Sequence, residues 1–318
     1  MEFNKYSSLV NHDNQYINDI VSMEETSKCG PYRVMEKIHG SNFSLFDQDS
    51  QVVAGRRNGF PNIGDSFHKF QSLMPEYEPK AQKIFTRWPN AVIYGELFGC
   101  YYGNMPVAKG FSKLQKSIHY TPRLELVVYE IYDRTNEKYI NTSVAHQALS
   151  DAGFKVSPVL ATYETLTEAL KHSAEFKSTI PDFLGLPEFE GDNWGEGIVI
   201  KPEIDFYYEH QRVVVKKKHP KFKENDSFPR KNRKNNSTRD RLAFLDAYVN
   251  ENRLQAVRSK ELETITRDEL VTLLIRDIFT DLVKDGIEIK DENRISYEKH
   301  ITKCAGRYLW KMFPNSKK

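Results

Sequence analysis

Apolar and polar residues alternate in short runs through the first two-thirds of this chain, then recur every three to four residues through the last third. The first pattern is that of strands with one buried face, the second that of amphipathic helices. Phe43, Leu45 and Phe46 open one predicted strand, and Gln51 to Gly59 reads as its neighbour, ending at the turn signal Asn58-Gly59. Ala91 to Gly99, Leu124 to Asp133, Gly195 to Pro202 and Arg212 to Lys218 are further predicted strands, rich in β-branched and aromatic residues. Helices are expected around Tyr16 to Val21, over Phe67 to Arg87, and over residues 141–153 and 164–177. Past Phe228-Pro229-Arg230 the pattern changes. Lys231 to Ser237 has no period and reads as a linker. A helix from Thr238 to about Ser259 follows, with apolar Leu242, Leu245, Val249 and Leu254. Thr266 to Glu269 is a capping box. Leu270, Leu274, Ile278 and Leu282 then repeat every four residues until Gly286, and a last helix runs from Ser296 to before Pro314.

Composition narrows the class. The chain has 318 residues, 39% hydrophobic and 28% charged, which suits a folded chain with a sizeable core. A net charge of +2 says little about partners, but its distribution does. Between Arg212 and Arg241 the basic residues far outnumber Glu224, Asp226 and Asp240, a local cationic footprint for a polyanion or else a solvated linker. The cysteines Cys29, Cys100 and Cys304 are far apart and form no metal-type pair, so free thiols in a reducing compartment are expected. No apolar run nears the roughly 20 residues of a membrane span, and the N-terminus lacks a signal-peptide core. An intracellular protein without membrane contact is the expectation.

The chemistry gathers at strand ends. Met35 to Phe43 places Lys37, His39 and Gly40 in one tight turn. Alone, such a turn is as well read as a solvated loop. A lysine amine becomes a nucleophile only when deprotonated, so neighbours that disfavour its charge are needed. Lys216 and Lys218, two apart on one strand, share a face with Lys217 opposite, and are the candidates for that neighbour and for a phosphate clamp. Glu96 and Glu196 are carboxylates in apolar runs, suited to metal or ribose. Tyr129 offers a ring for a base, Asn42 and Arg57 can hold ribose, and Lys201 closes the strand after Glu196. Gathered in one pocket, these residues would suit a nucleoside triphosphate, with Mg²⁺ bridging phosphates to carboxylates.

The ordered series Glu36-Lys37-Ile38-His39-Gly40-Ser41-Asn42-Phe43, Arg56-Arg57-Asn58-Gly59, Tyr94-Gly95-Glu96, Val127-Val128-Tyr129-Glu130-Ile131, Glu196 to Pro202 and Val215-Lys216-Lys217-Lys218 resembles the motifs of the covalent nucleotidyltransferases. That superfamily holds polynucleotide ligases and mRNA capping enzymes. His39, where DNA ligases and capping enzymes usually carry aspartate, points to the RNA ligase 2 family, with its phage nick-sealing and kinetoplastid editing ligases. Lys5 to Leu9 and Ala247 to Lys260 are similar to the phage members. Two departures stand out: Asn58-Gly59-Phe60 replaces Thr-Gly-Pro, and Tyr129 stands where Phe is common.

The resemblance implies an α+β fold. A nucleotidyltransferase domain of antiparallel sheets with flanking helices would span residues 1–234, and a small all-helical domain 235–318. It also implies an ATP-dependent RNA ligase, acting as a monomer, that joins 3′-OH and 5′-phosphate RNA ends at nicks in duplex RNA. Lys37 would carry AMP, assisted by Lys216, Lys218 and Glu196. Glu36, Ile38, His39, Asn42, Arg57, Glu96, Tyr129 and Lys201 would line the nucleotide. Glu96 and Glu196 would hold Mg²⁺ or Mn²⁺, and Arg253 and Asp277 would engage RNA. A GTP-using capping-type guanylyltransferase and a catalytically silent RNA-binding module are the alternatives.

Overall fold

The computed structural model describes residues 3–61, 67–115, 117–222, 242, 245, 248–261, 265–284, 287, 289 and 291–313. The chain divides into two compact units, residues 1–221 and 222–318. The expected linker at 231–237, the boundary at 234, the helix stop at Gly286 and the basic residues from Lys223 to Arg241 lie outside the described residues.

The first unit is built on two five-stranded sheets. One runs in the order β1 (Val10–Asn11), β12 (Val215–Lys218), β9 (Gly197–Pro202), β2 (Tyr32–Glu36), β8 (Val159–Tyr163). The other runs β4 (Gln51–Arg56), β3 (Ser41–Gln48), β5 (Ala91–Tyr101), β6 (Thr121–Asp133), β7 (Lys138–Tyr139). A two-stranded hairpin pairs β10 (Tyr207–Tyr208) with β11 (Gln211–Arg212). Every pairing is antiparallel except β1 with β12. β2 belongs to one sheet and β3 to the other, so residues 37–40 are the strap between them. That strap carries the lysine motif.

Side-chain alternation sets the cores. Phe43 and Leu45 of β3, with Ile93 and Leu97 of β5, pack with Tyr77, Ala81, Ile84 and Phe85 of α2 (Met74–Arg87) and with Ala145 and Leu149 of α3 (Thr142–Asp151). Phe46, Val92 and Tyr94 point the other way, into a smaller cluster with Tyr6 and Tyr139. The first sheet buries Val34, Ile198, Ile200 and Val215 with Ile20 from the N-terminal helix α1 (Ile17–Ser27) and with Leu166 and Ala169 from α4 (Leu166–Lys171). A last short helix in this unit, α5, covers Ile180–Phe183.

Three expectations are corrected. The helix expected over Phe67 to Arg87 is broken: Phe67–Ser72 is a 3₁₀ segment with left-handed His68 (φ 54) and Lys69 (φ 59). Phe67 and Phe70 both enter the core there. Pro75 suits the first turn of α2 but cannot continue a helix from behind. The helix over 164–177 shrinks to α4, which opens on the Thr165–Glu168 capping box and stops at His172 in extended backbone. The strand over Arg212 to Lys218 is divided. Arg212 stays in the hairpin because its guanidinium is drawn inward to Asp205 and Glu130, and Val215 resumes pairing in β12.

The second unit is helical in its described residues: α6 (Glu251–Arg258), α7 (Arg267–Lys284) and α8 (Asp291–Met312). Leu270, Leu274, Ile278 and Leu282 are all fully buried, with Leu245, Leu254, Ile301 and Leu309. The capping box is formed: Glu269 N–H donates to Thr266 Oγ1 (3.3 Å) and Thr266 N–H to Glu269 Oε2 (2.8 Å). α8 starts at Asp291 rather than Ser296, with an acidic residue placed at the favourable end of the helix dipole. The three cysteines are buried thiols. Among the described residues no helix is long and apolar enough to cross a membrane.

Candidate active site

The strap between the sheets is held at both ends. Lys37 N–H donates to Gly197 O (2.8 Å), continuing the β2–β9 ladder by one bond. Gly40 N–H donates to Glu96 Oε1 (3.1 Å), and Gln115 Nε2 to Gly40 O (3.2 Å). A Cβ on Gly40 would lie 2.3 Å from Leu97 O, so the close approach to β5 requires glycine. Between these anchors, Lys37 Nζ points at Glu196 Oε2, 2.8 Å away.

Glu196 is the hub. Its buried carboxylate meets Lys37, His39 Nδ1 at 3.4 Å on the same oxygen, and Lys218 Nζ at 3.4 Å on Oε1. Burial pushes its pKa up, but Lys37, His39 and Lys218 outweigh that and hold the carboxyl well below its ordinary range. The register that permits this is Lys218 opposite Gly197. Gly197 has φ +146, and a Cβ there would stand 2.2 Å from Lys217 O. Lys216 and Lys218 share one strand face, while Lys217 turns to the other and donates to the carbonyls of Leu170 (3.0 Å) and His172 (2.8 Å). Lys216 and Lys218 were expected to supply the charge that frees the Lys37 amine; in the structure a carboxylate, Glu196, stands between Lys37 and Lys218.

Glu96 sits across from Asn42 on the neighbouring strand. Burial pushes its carboxyl up to about 7; Lys37 opposes the shift, and the negative charge of Glu196 adds to it. Asn42 Nδ2 donates to the Tyr129 hydroxyl (2.8 Å), and the Tyr129 ring lies 5.3 Å from that of Tyr6. Arg57 donates to Tyr6 O (2.9 Å) and draws Glu96 downward electrostatically. So Lys37, His39, Asn42, Arg57, Glu96, Tyr129, Glu196 and Lys218 come together.

Other expected residues stand elsewhere. Glu36 faces away from Lys37, buried, and accepts from Ser178 Oγ (2.6 Å), Thr179 N–H (2.7 Å) and Thr179 Oγ1 (2.9 Å). Ile38 is a core residue, which leaves only its backbone for a ligand. Lys201 lies buried beneath the site, paired with Glu130 at 2.5 Å and donating to Tyr129 O at 3.4 Å. Arg212, expected to help hold RNA, is buried on Glu130 and Asp205 and stacked on Tyr139. Burial opposes the charge on Glu130, but Arg212 and Lys201 win and bring its carboxyl down to about 2. In the helical unit, Arg253 is buried against Asp281 (2.5 Å) and Asp277 (3.7 Å). It is a strut inside that unit, and Asp277 also meets Lys260 at 3.6 Å. Sequence reasoning missed Tyr6, Gln115, Tyr120, Ser178, Thr179 and Asn193. None carries a charge, and only Tyr6 stands in a stretch already singled out, Lys5 to Leu9, where it was given no site role.

The sequence profile of the RNA ligase family matches residues 30–218, the span from just before β2 to the end of β12. The chain belongs to the RNA ligase family. An RNA ligase-family relative, the mitochondrial RNA-editing ligase 2 of Trypanosoma brucei brucei, is 23% identical over 353 aligned positions, covering 89% of this chain and 83% of that protein. Solved structures of Naegleria gruberi RNA ligase are also similar. An arginine-to-alanine mutant with ATP and Mn matches 69% of this chain at TM-score 0.47 and 16% identity. The enzyme with pyrophosphate matches 70% at TM-score 0.44 and 14% identity. This RNA ligase-family chain spans 57% of the first of those chains and 61% of the second.

Proposed function

We propose that the protein is an ATP-dependent RNA ligase that joins 3′-OH and 5′-phosphate RNA ends through a lysyl-AMP on Lys37. The observation that carries this reading is the Lys37 amine held 2.8 Å from Glu196, with Lys218 on the other oxygen of the same carboxylate. Glu196 aims the amine, and Lys218 brings positive charge to where a phosphate must sit. The deprotonated amine attacks the α-phosphorus. The N–P bond forms, the bond from that phosphorus to the bridging oxygen breaks, and pyrophosphate leaves with the electron pair. A 5′-phosphate oxygen of RNA then takes the AMP and frees Lys37. Finally the 3′-hydroxyl attacks the adenylylated phosphate and AMP departs.

Tyr129 and Tyr6 supply the aromatic wall for adenine, and Asn42 and Arg57 border it. Glu96 and Glu196 are the carboxylates that would hold a divalent ion. The fit is supported by the donor set: two carboxylates, the hard oxygen ligands a divalent ion takes, stand near enough for the Glu196 charge to add to the upward push that burial gives Glu96. Among the described residues no three His, Cys, Asp or Glu side chains stand together as a metal cluster, so phosphate and water would complete the shell. A bound ion neutralises phosphate charge. Nicks in duplex RNA are the substrate this reading favours, recognised by groove shape and 2′-hydroxyls, with the helical unit, including 235–318, as the RNA-engaging part and the protein acting as a monomer inside the cell.

Incubation with α-labelled ATP or GTP and Mg²⁺, followed by a denaturing gel, tests the reading. Label from ATP is expected in the wild type and absent in Lys37→Ala. Label from GTP alone would make it a guanylyltransferase, and no label at all would make it a silent RNA-binding module. Nicked duplex RNA is expected to be sealed faster than single-stranded ends.

A further inference from the structure

Lys37 is flanked by two residues whose bonds lead, by separate paths, to one buried asparagine. On one side, Glu36 takes three hydrogen bonds from Ser178 and Thr179. Ser178 N–H in turn donates to Asn193 O (2.8 Å). On the other side, His39 N–H donates to the Tyr120 hydroxyl (2.9 Å). Tyr120 follows His119, whose N–H donates to Asn193 Oδ1 (2.8 Å) and whose carbonyl accepts from Asn193 Nδ2 (2.7 Å). Asn193 is 4% exposed, and its carboxamide satisfies both backbone groups of one residue, as a strand neighbour would. Three residues further on is Glu196, the partner of the Lys37 amine. Trp194, between them, bridges back to Lys177.

We infer that Asn193 is a positioning residue for the reactive lysine: it ties residues 119–120, 178–179 and the approach to Glu196 into one hydrogen-bonded circuit that closes around Lys37. The circuit fixes the backbone on both sides of Lys37 and the carboxylate that aims its amine. None of its outer members needs to touch nucleotide. A loss at Asn193 therefore acts on the geometry of attack rather than on nucleotide affinity. A misplacement of about 1 Å costs on the order of 10²-fold in rate. Asn193→Asp keeps the acceptor for His119 N–H and loses the donor to its carbonyl, so it breaks half of the bridge.

This inference rests on the ligase reading, and two measurements keep the two apart. The first is the rate of lysyl-AMP formation as a function of ATP concentration. Asn193→Ala is expected to lower the maximal rate about 10²-fold with half-saturation within about threefold of wild type, and Asn193→Asp to fall between. Tyr120→Phe, which removes only the hydroxyl that accepts from His39, is expected to give the same signature and decides the matter if Asn193→Ala does not fold. The second is hydrogen exchange of the peptide from Glu36 to Asn42, which needs no activity. It is expected to exchange at least tenfold faster in the Asn193 variants, with the β6 peptide from Leu124 to Ile131 unchanged. Maximal rates within threefold of wild type would overturn the inference. So would variants that raise half-saturation alone, or exchange that is unchanged at residues 36–42 or faster everywhere. If the wild type takes no label, the ligase reading fails, and the exchange experiment still decides the positioning claim.

Discussion

Glu96 binds its proton more tightly in the fold than it would in an unfolded chain, because burial and the nearby Glu196 charge disfavour its ionised form. Between the ordinary carboxylate value of 4.5 and about 7, the folded state holds a proton that the unfolded state has released. Stability is then greatest below that window and falls as pH rises through it. That rise corresponds to about 3 kcal/mol. Glu96→Gln keeps an acceptor for Gly40 N–H and cannot ionise. It is expected to be more stable than wild type by up to about 3 kcal/mol at pH 8 and indistinguishable at pH 4.5, by urea unfolding at both values. Equal stability at pH 8 would refute the account. Glu196 has the opposite sign, since Lys37, His39 and Lys218 hold its carboxyl low against burial, and that stabilisation is lost only as pH falls below 4.5. Glu196→Gln removes the anion from among Lys37, His39 and Lys218, and should slow lysyl-AMP formation by about 10²-fold or more, read by the labelled gel. Lys37, Glu196 and Lys218 were legible in the sequence because charged residues at strand ends are conspicuous and period-two alternation assigns their faces. Their arrangement was not. That Glu196 separates the lysines depends on the register of β9 and β12, which no local pattern encodes.

Elements transmit these placements, and the β9–β12 pair carries the most. Gly197 lies opposite Lys218 with φ +146, where a side chain would meet the Lys217 carbonyl at 2.2 Å. Gly197→Ala must strain this backbone or part the strands. A loss of about 2 kcal/mol or more is expected, with lysyl-AMP formation falling alongside; a variant of wild-type stability and rate would show that the register does not matter. β6 illustrates a different limit on sequence reading. Its alternation was plain, yet Glu130 read as one more strand residue, and Arg212 as part of a surface cationic run. The fold buries both as partners, with Lys201 and Asp205 completing the group. Arg212→Met leaves Glu130 with Lys201 alone, and removing one member of a buried pair typically costs about 3–5 kcal/mol. The same buried group supports the backbone of Tyr129 through Lys201, so loosened ATP binding should accompany the loss. The broken helix at Phe67–Ser72 was hidden for a related reason. Its apolar spacing suits a helix, and only the core positions taken by Phe67 and Phe70 choose the left-handed turn.

At the scale of the whole molecule, the change of hydrophobic period along the chain announced two kinds of unit, and each has its own core. Among the described residues the first holds three clusters around its sheets, while the second centres on Leu254, Leu270, Leu274, Ile278, Leu282, Ile301 and Leu309. Four-residue repetition made the α7 stripe readable because a single helix face faces a single core. Arg253 was harder to read. Resemblance gave it an RNA-facing role, whereas its burial against Asp277 and Asp281 makes it first a part of the helical core. A core confined to one unit predicts a local response to damage. Leu274 is fully buried, and Leu274→Ala should cost about 2–5 kcal/mol through lost transfer energy and the cavity left behind. If the units unfold separately, calorimetry of the intact chain shows two transitions, and only one moves in this variant. Lysyl-AMP formation, which the proposed function assigns to residues of the first unit, should stay within about twofold of wild type at 20 °C. RNA sealing should fall first as temperature rises into the weakened transition. A variant that lowers a single shared transition and lysyl-AMP formation together would mean that the two cores unfold as one cooperative body.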